Sequence, residues 1–308
     1  MSPYRCQRKD IMKEFKTKYN EYLKEVNTAL DGLLTTGNGP GSVIYDAMKY
    51  SVAAGGKRLR PVLALAVCEM LEGSKNDVLI FACAIELIHT YSLIHDDLPA
   101  MDNDDYRRGM PTNHKVFGEA AAILAGDALL NKAYELMISH IVKNDHLTRS
   151  CAEAMNVIAV SAGAEGMILG QMIDIESEGK VISKETLEHM HRCKTGALIK
   201  APVLAAASIC RAGPDEYESL GKYAECIGLA FQIKDDIMDV KGNQEQMGKP
   251  SGSDAASNKP TYAALYGIER AEELLDETVA AAVEALACFG DRAAFLKELA
   301  IFIKDRDN

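Results

Sequence analysis

None of the eight cysteines of this 308-residue chain falls in a CxxC or other short paired pattern. That argues against a zinc ribbon, a dithiol redox centre or a disulfide scaffold. The cysteines read instead as small buried hydrophobes of a protein kept in a reducing, cytoplasmic setting. The first residues, MSPYRCQRKDIMKEFKTKYN, carry early positive charge but no apolar signal core. No run approaches the ~18 uninterrupted apolar residues of a membrane span, and the nearest, GALIKAPVLAAASIC, is broken by Lys200. Alternating strand patterns, a βαβ rhythm, internal repeats and low-complexity tracts are also missing. An excess of basic residues is lacking too, with 34 Lys and Arg against 45 Asp and Glu and a net charge of −11. That balance excludes nucleic acid as a general partner. It also means that any anionic ligand needs a metal or a local basic cluster to reverse the sign.

What is present is helical. Hydrophobic residues make up 48% of the chain, ample for a sizeable core, and Ala, Leu, Met, Glu and Lys are abundant. The periodicity predicts helices at roughly 9–34, 42–54, 59–71, 76–98, 117–141, 146–168, 184–195, 197–211, 215–240, 261–287 and 291–304. Glycine and proline breaks separate them, and GNQEQMGKPSGSDAASNKP forms one long polar loop over 242–260. Loops of that length inside a compact domain are usually functional or mobile. The expectation is an all-α fold with residues 1–308 as a single domain.

Two aspartate clusters interrupt this apolar pattern. The first is LIHDDLPAMDNDDYRRG, with Asp96, Asp97 and Asp102, and the second is FQIKDDIMDVKG, with Asp235, Asp236 and Asp239. Each follows a strongly apolar run, where uncompensated carboxylates would be costly to bury. Glu86, His89, Ser92 and Asp96 lie on one face of the first helix, and Pro99 should end it and let Asp102 return toward Asp96. Glu225, Gln232, Asp235 and Asp239 form a matching stripe on the second. Asp235 and Asp239 are i, i+4 neighbours able to share a cation, whereas Asp236 points about 100° away, behind the ligands or toward another cation. Oxygen-rich clusters suit hard cations such as Mg²⁺, which keeps waters and substrate phosphates among its ligands. Two such clusters facing one cavity would hold a diphosphate ester through bridging metals.

Basic residues complete that chemistry. GGKRLRP places Lys57, Arg58 and Arg60 after a glycine pair at an expected helix start, a favourable place for an anion. It is not a Walker loop, since neither the glycine spacing nor a following Ser or Thr is present. Arg107 and Arg108 follow the first acid cluster, Lys194-Thr195 joins two helices, and Lys249 and Lys259 lie in or beside the long loop. Gln171 and Asp174 make a polar i, i+3 pair that serves either a core hydrogen bond or the site.

Taken together, HDDLPAMDNDDYRRG and FQIKDDIMD resemble the two aspartate-rich motifs of the trans-isoprenyl diphosphate synthases. GGKRLRP, GEAAAILAGDALL, GQMIDIE and KTGALI resemble further motifs of that family, in the family's order. The Pro99-Ala100 insertion resembles bacterial farnesyl and plant-type geranylgeranyl diphosphate synthases. The resemblance implies an isoprenoid synthase-type helical bundle around a central cavity, usually in a homodimer. It implies that Asp96, Asp102 and Asp235 bind about three Mg²⁺ per site, with Asp97, Asp236 and Asp239 supporting them. Arg107, Lys194 and Lys249 would contact the allylic diphosphate, and Gly56, Lys57, Arg60, His89 and Arg108 would bind isopentenyl diphosphate. Thr195 and Gln232, with Lys194, would lie beside the developing allylic cation, and the tail IFIKDRDN carries basic residues able to cover the site. The implied reaction is metal-assisted ionisation, head-to-tail condensation and proton loss.

Product length rests on Tyr91 and Ser92, which lie five and four residues before Asp96, about 6–7.5 Å down the helix axis. A phenol ring there would floor the cavity and stop the product at C15, farnesyl diphosphate, with the C20 geranylgeranyl product as the alternative. A terpene cyclase would need no GGKR site, and a non-catalytic prenyl synthase subunit would tend to lose the aspartates that this chain keeps.

Overall fold

The computed structural model describes residues 3–34, 37–241 and 261–306, with side chains from Arg8 onward. In chain order the helices are α1 (Pro3–Leu33), α2 (Val43–Ala53), α3 (Leu59–Met70), α4 (Lys75–Asp96), α5 (Asn113–Phe117) and α6 (Glu119–Lys143). They continue with α7 (Thr148–Ala162), α8 (Met167–Ser177), α9 (Lys184–His191), α10 (Ala197–Ile209) and α11 (Pro214–Lys241). The last three are α12 (Tyr262–Tyr266), α13 (Ile268–Ala285) and α14 (Ala294–Asp305). The all-α expectation holds.

Several boundaries differ from the sequence reading, for local reasons. The run predicted at 146–168 stops at Ala162, where Gly163 and Gly166 turn the chain, and α8 starts afresh at Met167. An added Cβ at Gly166 would collide with the Ser161 carbonyl, so the turn excludes side chains there. The run predicted at 261–287 is cut at Gly267, which has φ +79. The helix predicted over 184–195 ends at His191 and passes into a π turn, Arg192–Gly196. No strand was expected, yet β1 (Tyr106–Arg107) pairs with β2 (Met110–Pro111) around Arg108 and Gly109. Both turn residues have positive φ, 55° and 77°, the sign that two-residue hairpin turns demand. Periodicity cannot register a two-residue strand.

Two stretches, Lys75–Asp96 and Asp145–Ser177, are apolar and long enough to cross a membrane by composition, contrary to the sequence reading. The first is the core: α4 buries Val78, Phe81, Ile85, Leu87, Ile88 and Ile94 against α3, α6 and α10. The second is broken at Gly163 and Gly166. Around α4, helix α10 is buried from Leu198 to Ala207 except at Lys200 and packs on α7, α3 and α11. Truncating one such side chain, Leu87→Ala, would cost about 2–5 kcal/mol. This rigid interior holds in place the helix ends and turns that carry the polar residues.

Candidate active site

At the end of α4 the chain turns back on itself. The Asp102 amide donates to the Asp96 carbonyl oxygen at 2.9 Å, which brings the two carboxylates of the first cluster to one turn, as Pro99 suggested. Burial pushes the Asp96 carboxyl up to about 6, against the pull of Lys194, with Asp102 adding to the rise. Among the described residues no side-chain hydrogen bond to Asp96 is found, so only the more distant charges of Lys194 and Arg107 act against its burial there, and a bound cation would add to them. Asp97 faces inward and is 3% exposed; the Arg107 Nε donates to both its oxygens, at 2.7 and 2.9 Å. The β1–β2 hairpin thus hangs Arg107 on Asp97 and leaves Arg108 at the tip of the turn.

The second cluster stays helical. Asp235, Asp236 and Asp239 all lie within α11, which runs to Lys241. Burial raises the Asp235 carboxyl, opposed by Arg306, Lys57 and Arg60. Arg306, just past α14, donates from Nη2 to Asp235 Oδ1 at 2.5 Å and to the Phe231 carbonyl at 3.0 Å, and its guanidinium lies 3.9 Å over the Phe231 ring. The tail does reach the site, through a residue the sequence reading left unassigned. Asp236 is 2% exposed and accepts from Gln232 Nε2 at 2.8 Å and from the Tyr262 amide at 2.7 Å. Gln232 Oε1 in turn accepts from Thr195 Oγ1 at 3.1 Å. Thr195, Gln232 and Asp236 therefore form one chain of hydrogen bonds. Glu225, placed on the same stripe by periodicity, instead pairs with Lys200 at the surface, 2.5 Å away.

Lys194 and Thr195 sit on the π turn, which two glycines make room for. A Cβ on Gly170 of α8 would fall 2.1 Å from the Lys194 amide nitrogen, and one on Gly228 of α11 would fall 3.0 Å from the Gly196 Cα. Such π turns inside helices often mark functional positions. Lys194 Nζ donates to Asp174 at 2.6 Å, which settles the open reading of Asp174: it is the buried counter-charge of Lys194. The buried Gln171 Nε2 finds no partner among the described residues. His191, missed by the sequence reading, packs at a tilt with its ring centre 5.3 Å from that of Tyr262, and burial pushes its imidazole down to about 4.

The GGKRLRP turn faces this region from α3. Gly55 and Gly56 have φ +80 and +121, and a Cβ on Gly56 would strike the Arg108 guanidinium, which donates to the Gly55 carbonyl. Lys57 is exposed, and the Arg60 Nε is buried with no partner among the described residues. Burial brings Arg60 down to about 10, with Arg108 lowering it further and Glu86 and Asp235 resisting. His89 is held well below its usual value by burial and by Arg60, Arg108, Arg107 and Arg58. These mutual influences place the α3 turn, the hairpin, the first helix and Asp235 within electrostatic reach of one another. Lys249 and Lys259 lie outside the described residues.

Tyr91 is buried between α4 and α6. Its ring lies edge-on to His95 at 5.6 Å, and burial and the neighbouring Tyr134 and Asp96 push its phenol up to about 12. Ser92 Oγ donates back to the His89 carbonyl at 2.9 Å.

The donor set suits a hard divalent cation. Asp96 and Asp235 are half-buried carboxylates whose ionised forms burial disfavours, a cost that a cation would offset. Among the described residues no three Asp, Glu, His or Cys side chains are gathered into a complete cage. The cation would take its remaining oxygens from water and a diphosphate.

The profile of the family described as Polyprenyl synthetase matches residues 41–288. The chain is 45% identical to the chloroplastic geranylgeranyl pyrophosphate synthase of Capsicum annuum over 298 residues, 96% of this chain and 79% of that one. It is also 45% identical to the farnesyl diphosphate synthase of Geobacillus stearothermophilus over 290 residues, 94% and 97% of the two chains. An FPP/GFPP synthase structure from Zymomonas mobilis superposes with a TM-score of 0.84 at 34% identity, covering 94% of this chain and 99% of that one. Farnesyl and geranylgeranyl synthases thus stand equally near. With both aspartate clusters, the basic turns and the helical fold in place, the chain belongs to the polyprenyl synthetase family of trans-prenyl diphosphate synthases.

Proposed function

We propose that this chain condenses isopentenyl diphosphate head-to-tail with dimethylallyl and geranyl diphosphate to give (2E,6E)-farnesyl diphosphate. The observation that carries this reading is the convergence of the Lys57/Arg60 turn with Asp235 and of Lys194 with Asp96, two cation–carboxylate groupings suited to two diphosphates. Asp96, Asp102 and Asp235 would hold the magnesium ions, about three per site. Magnesium, when bound, supplies positive charge against the leaving diphosphate. Lys194, Arg107 and Lys249 hold that diphosphate, and Lys57, Arg60, Arg108, His89 and Gly56, whose missing side chain lets Arg108 approach, hold isopentenyl diphosphate. His89, kept neutral by burial and by its cationic neighbours, donates a hydrogen bond rather than a charge. Thr195 and Gln232, locked by Asp236, present oxygen dipoles to the developing allylic cation. Asp97 and Asp236 orient Arg107 and Gln232 rather than bind metal.

The C15 product is supported by the buried Tyr91 ring beside Asp96 on the α4–α6 side. Ser92, small and only about 40° around the helix from Asp96, favours the geranylgeranyl alternative. Incubation with isopentenyl diphosphate and each allylic primer, followed by sizing of the products, decides. Mainly C15 is expected, and Tyr91→Ala should shift it to C20 and longer; a wild-type C20 product would overturn the floor. Residues 1–308 would act as a single domain in a homodimer, for which α6 offers the exposed Ile123, Leu124, Ile138 and Val142. Light scattering coupled to gel filtration should give twice the 33.5 kDa chain mass.

A further inference from the structure

Arg58 lies between the two basic residues assigned to isopentenyl diphosphate, yet it points the other way. Its backbone is left-handed, φ 48 and ψ 35, at the position just before α3, a conformation that an L-residue adopts only when its surroundings enforce it. What enforces it is the side chain, 3% exposed. Nη1 donates to Glu86 Oε1 of α4 at 2.7 Å, Nη2 to the Val52 carbonyl of α2 at 2.5 Å, and Nε to Asn27 Oδ1 of α1 at 3.2 Å. The turn is held a second time by the Tyr19 hydroxyl, which donates to the Lys57 carbonyl at 2.6 Å.

We infer that the buried Arg58–Glu86 ion pair is the positioning device of the isopentenyl diphosphate end of the site, anchoring the turn so that Lys57 and Arg60 face the ligand. This rests on the assignment of Lys57 and Arg60 made above. Three donors reaching three helices pin the arginine, and the left-handed residue then reverses the chain, so Lys57 emerges to solvent while Arg60 points from the first turn of α3. Glu86 has a second effect. Its negative charge offsets the mutual repulsion of the Arg60 and Arg108 guanidinium groups, which are charged in any case. Helix-to-helix adhesion does not require this pair. Buried ion pairs can generally be replaced by apolar residues of similar volume with no loss of stability. Orientation of the turn is what such a replacement cannot supply.

That contrast defines the experiment. The double variant Arg58→Met with Glu86→Leu keeps the volume and removes the pair. We expect its melting temperature to stay near wild type and its KM for isopentenyl diphosphate to rise about ten- to a hundredfold. Its KM for geranyl diphosphate should move by less than about threefold. Equal losses for both substrates, or an unchanged KM for isopentenyl diphosphate, would overturn the inference. Asn27→Ala, at an exposed position, removes one anchor without threatening the fold. It should raise the same KM severalfold and decides the matter if the double variant does not fold; no rise would overturn the idea. Arg60→Ala is the control on the underlying assignment. If it leaves the KM for isopentenyl diphosphate unchanged, the assignment fails; if it raises that KM while the double variant does not, only the positioning role fails.

Discussion

The two aspartate clusters are alike in one respect and opposed in another. In each, the second aspartate of the Asp-Asp pair is buried and tied to protein: Asp97 to Arg107, Asp236 to Gln232 and the Tyr262 amide. In each, the first aspartate is half-buried, with its carboxyl raised by burial. The backbones differ. The first cluster is a helix end folded back through the Asp102 amide, and the second is an unbroken helical face. Their cover differs too, because Arg306 sits on Asp235 while, among the described residues, no side chain hydrogen-bonds to Asp96. On the function proposed above, a repeated Asp-Asp encodes a division of labour, one residue for the ligand and one for the scaffold.

That division predicts its own largest effect. Asp96→Ala or Asp235→Ala should lower turnover on the order of a thousandfold or more. Asp96→Ala should leave the melting temperature equal or higher, since it removes a carboxylate that burial disfavours, whereas Asp235→Ala also strands the buried Arg306 guanidinium and should lower it. Steady-state assays beside thermal melts check both halves, and an active variant, or activity in excess chelator, would break the comparison.

The buried partners should respond in the opposite way to Asp96. Asp97→Ala leaves the Arg107 guanidinium with the longer 3.4 Å contact to Asp104 and should cost about 3 kcal/mol of stability. Among the described residues, Asp236→Ala strands a neutral amide and a backbone N–H, for about 1–3 kcal/mol. Urea titrations with matched m-values measure the difference, and a larger loss at Asp236 would reverse the ranking.

How much of this was legible from sequence depends on the range of the interaction. The helices, the return of Asp102 toward Asp96 and the gathering of basic turns follow from local periodicity, one proline and residue type. The pairing of Lys194 with Asp174, the grip of Arg58 on Glu86 and the placement of Arg306 on Asp235 are tertiary facts. They join residues far apart in the chain, and no local pattern registers them. The π turn was hidden for a different reason: Gly170 and Gly228 look like ordinary helical glycines until the neighbouring backbone is seen against them. Glu225 marks the opposite error, since a shared stripe does not ensure a shared environment.

His191 sharpens the comparison on the side of the second cluster. Its folded value of about 4 lies below the ordinary 6.5, so between those values the unfolded chain binds more protons. Stability should therefore rise with pH across that window and be complete above 6.5, the loss attributable to His191 approaching roughly 3 kcal/mol at the acid end. His89 acts in the same direction. Melts from pH 4 to 7.5 should show a shallower slope for His191→Gln than for wild type; identical slopes would mean that His191 is not held neutral by burial.

The smallest effect tests the one asymmetry in cover. Arg306 offers Asp235 a positive charge, a short hydrogen bond and a stacked anchor on Phe231, so a metal ion approaching that carboxylate competes with a guanidinium. Asp96 has no such competitor among the described residues. Replacing Arg306 by Gln keeps a polar side chain and removes the charge. The magnesium concentration giving half-maximal activity should then fall by about three- to tenfold, the scale of one charge-assisted contact largely offset by solvent. Turnover at saturating magnesium should change little. A metal titration of Arg306→Gln against wild type, at fixed substrate, is sufficient. If half-saturation moved to higher magnesium, Arg306 would be a supporter of the metal site rather than its competitor, and the two clusters would differ in backbone alone.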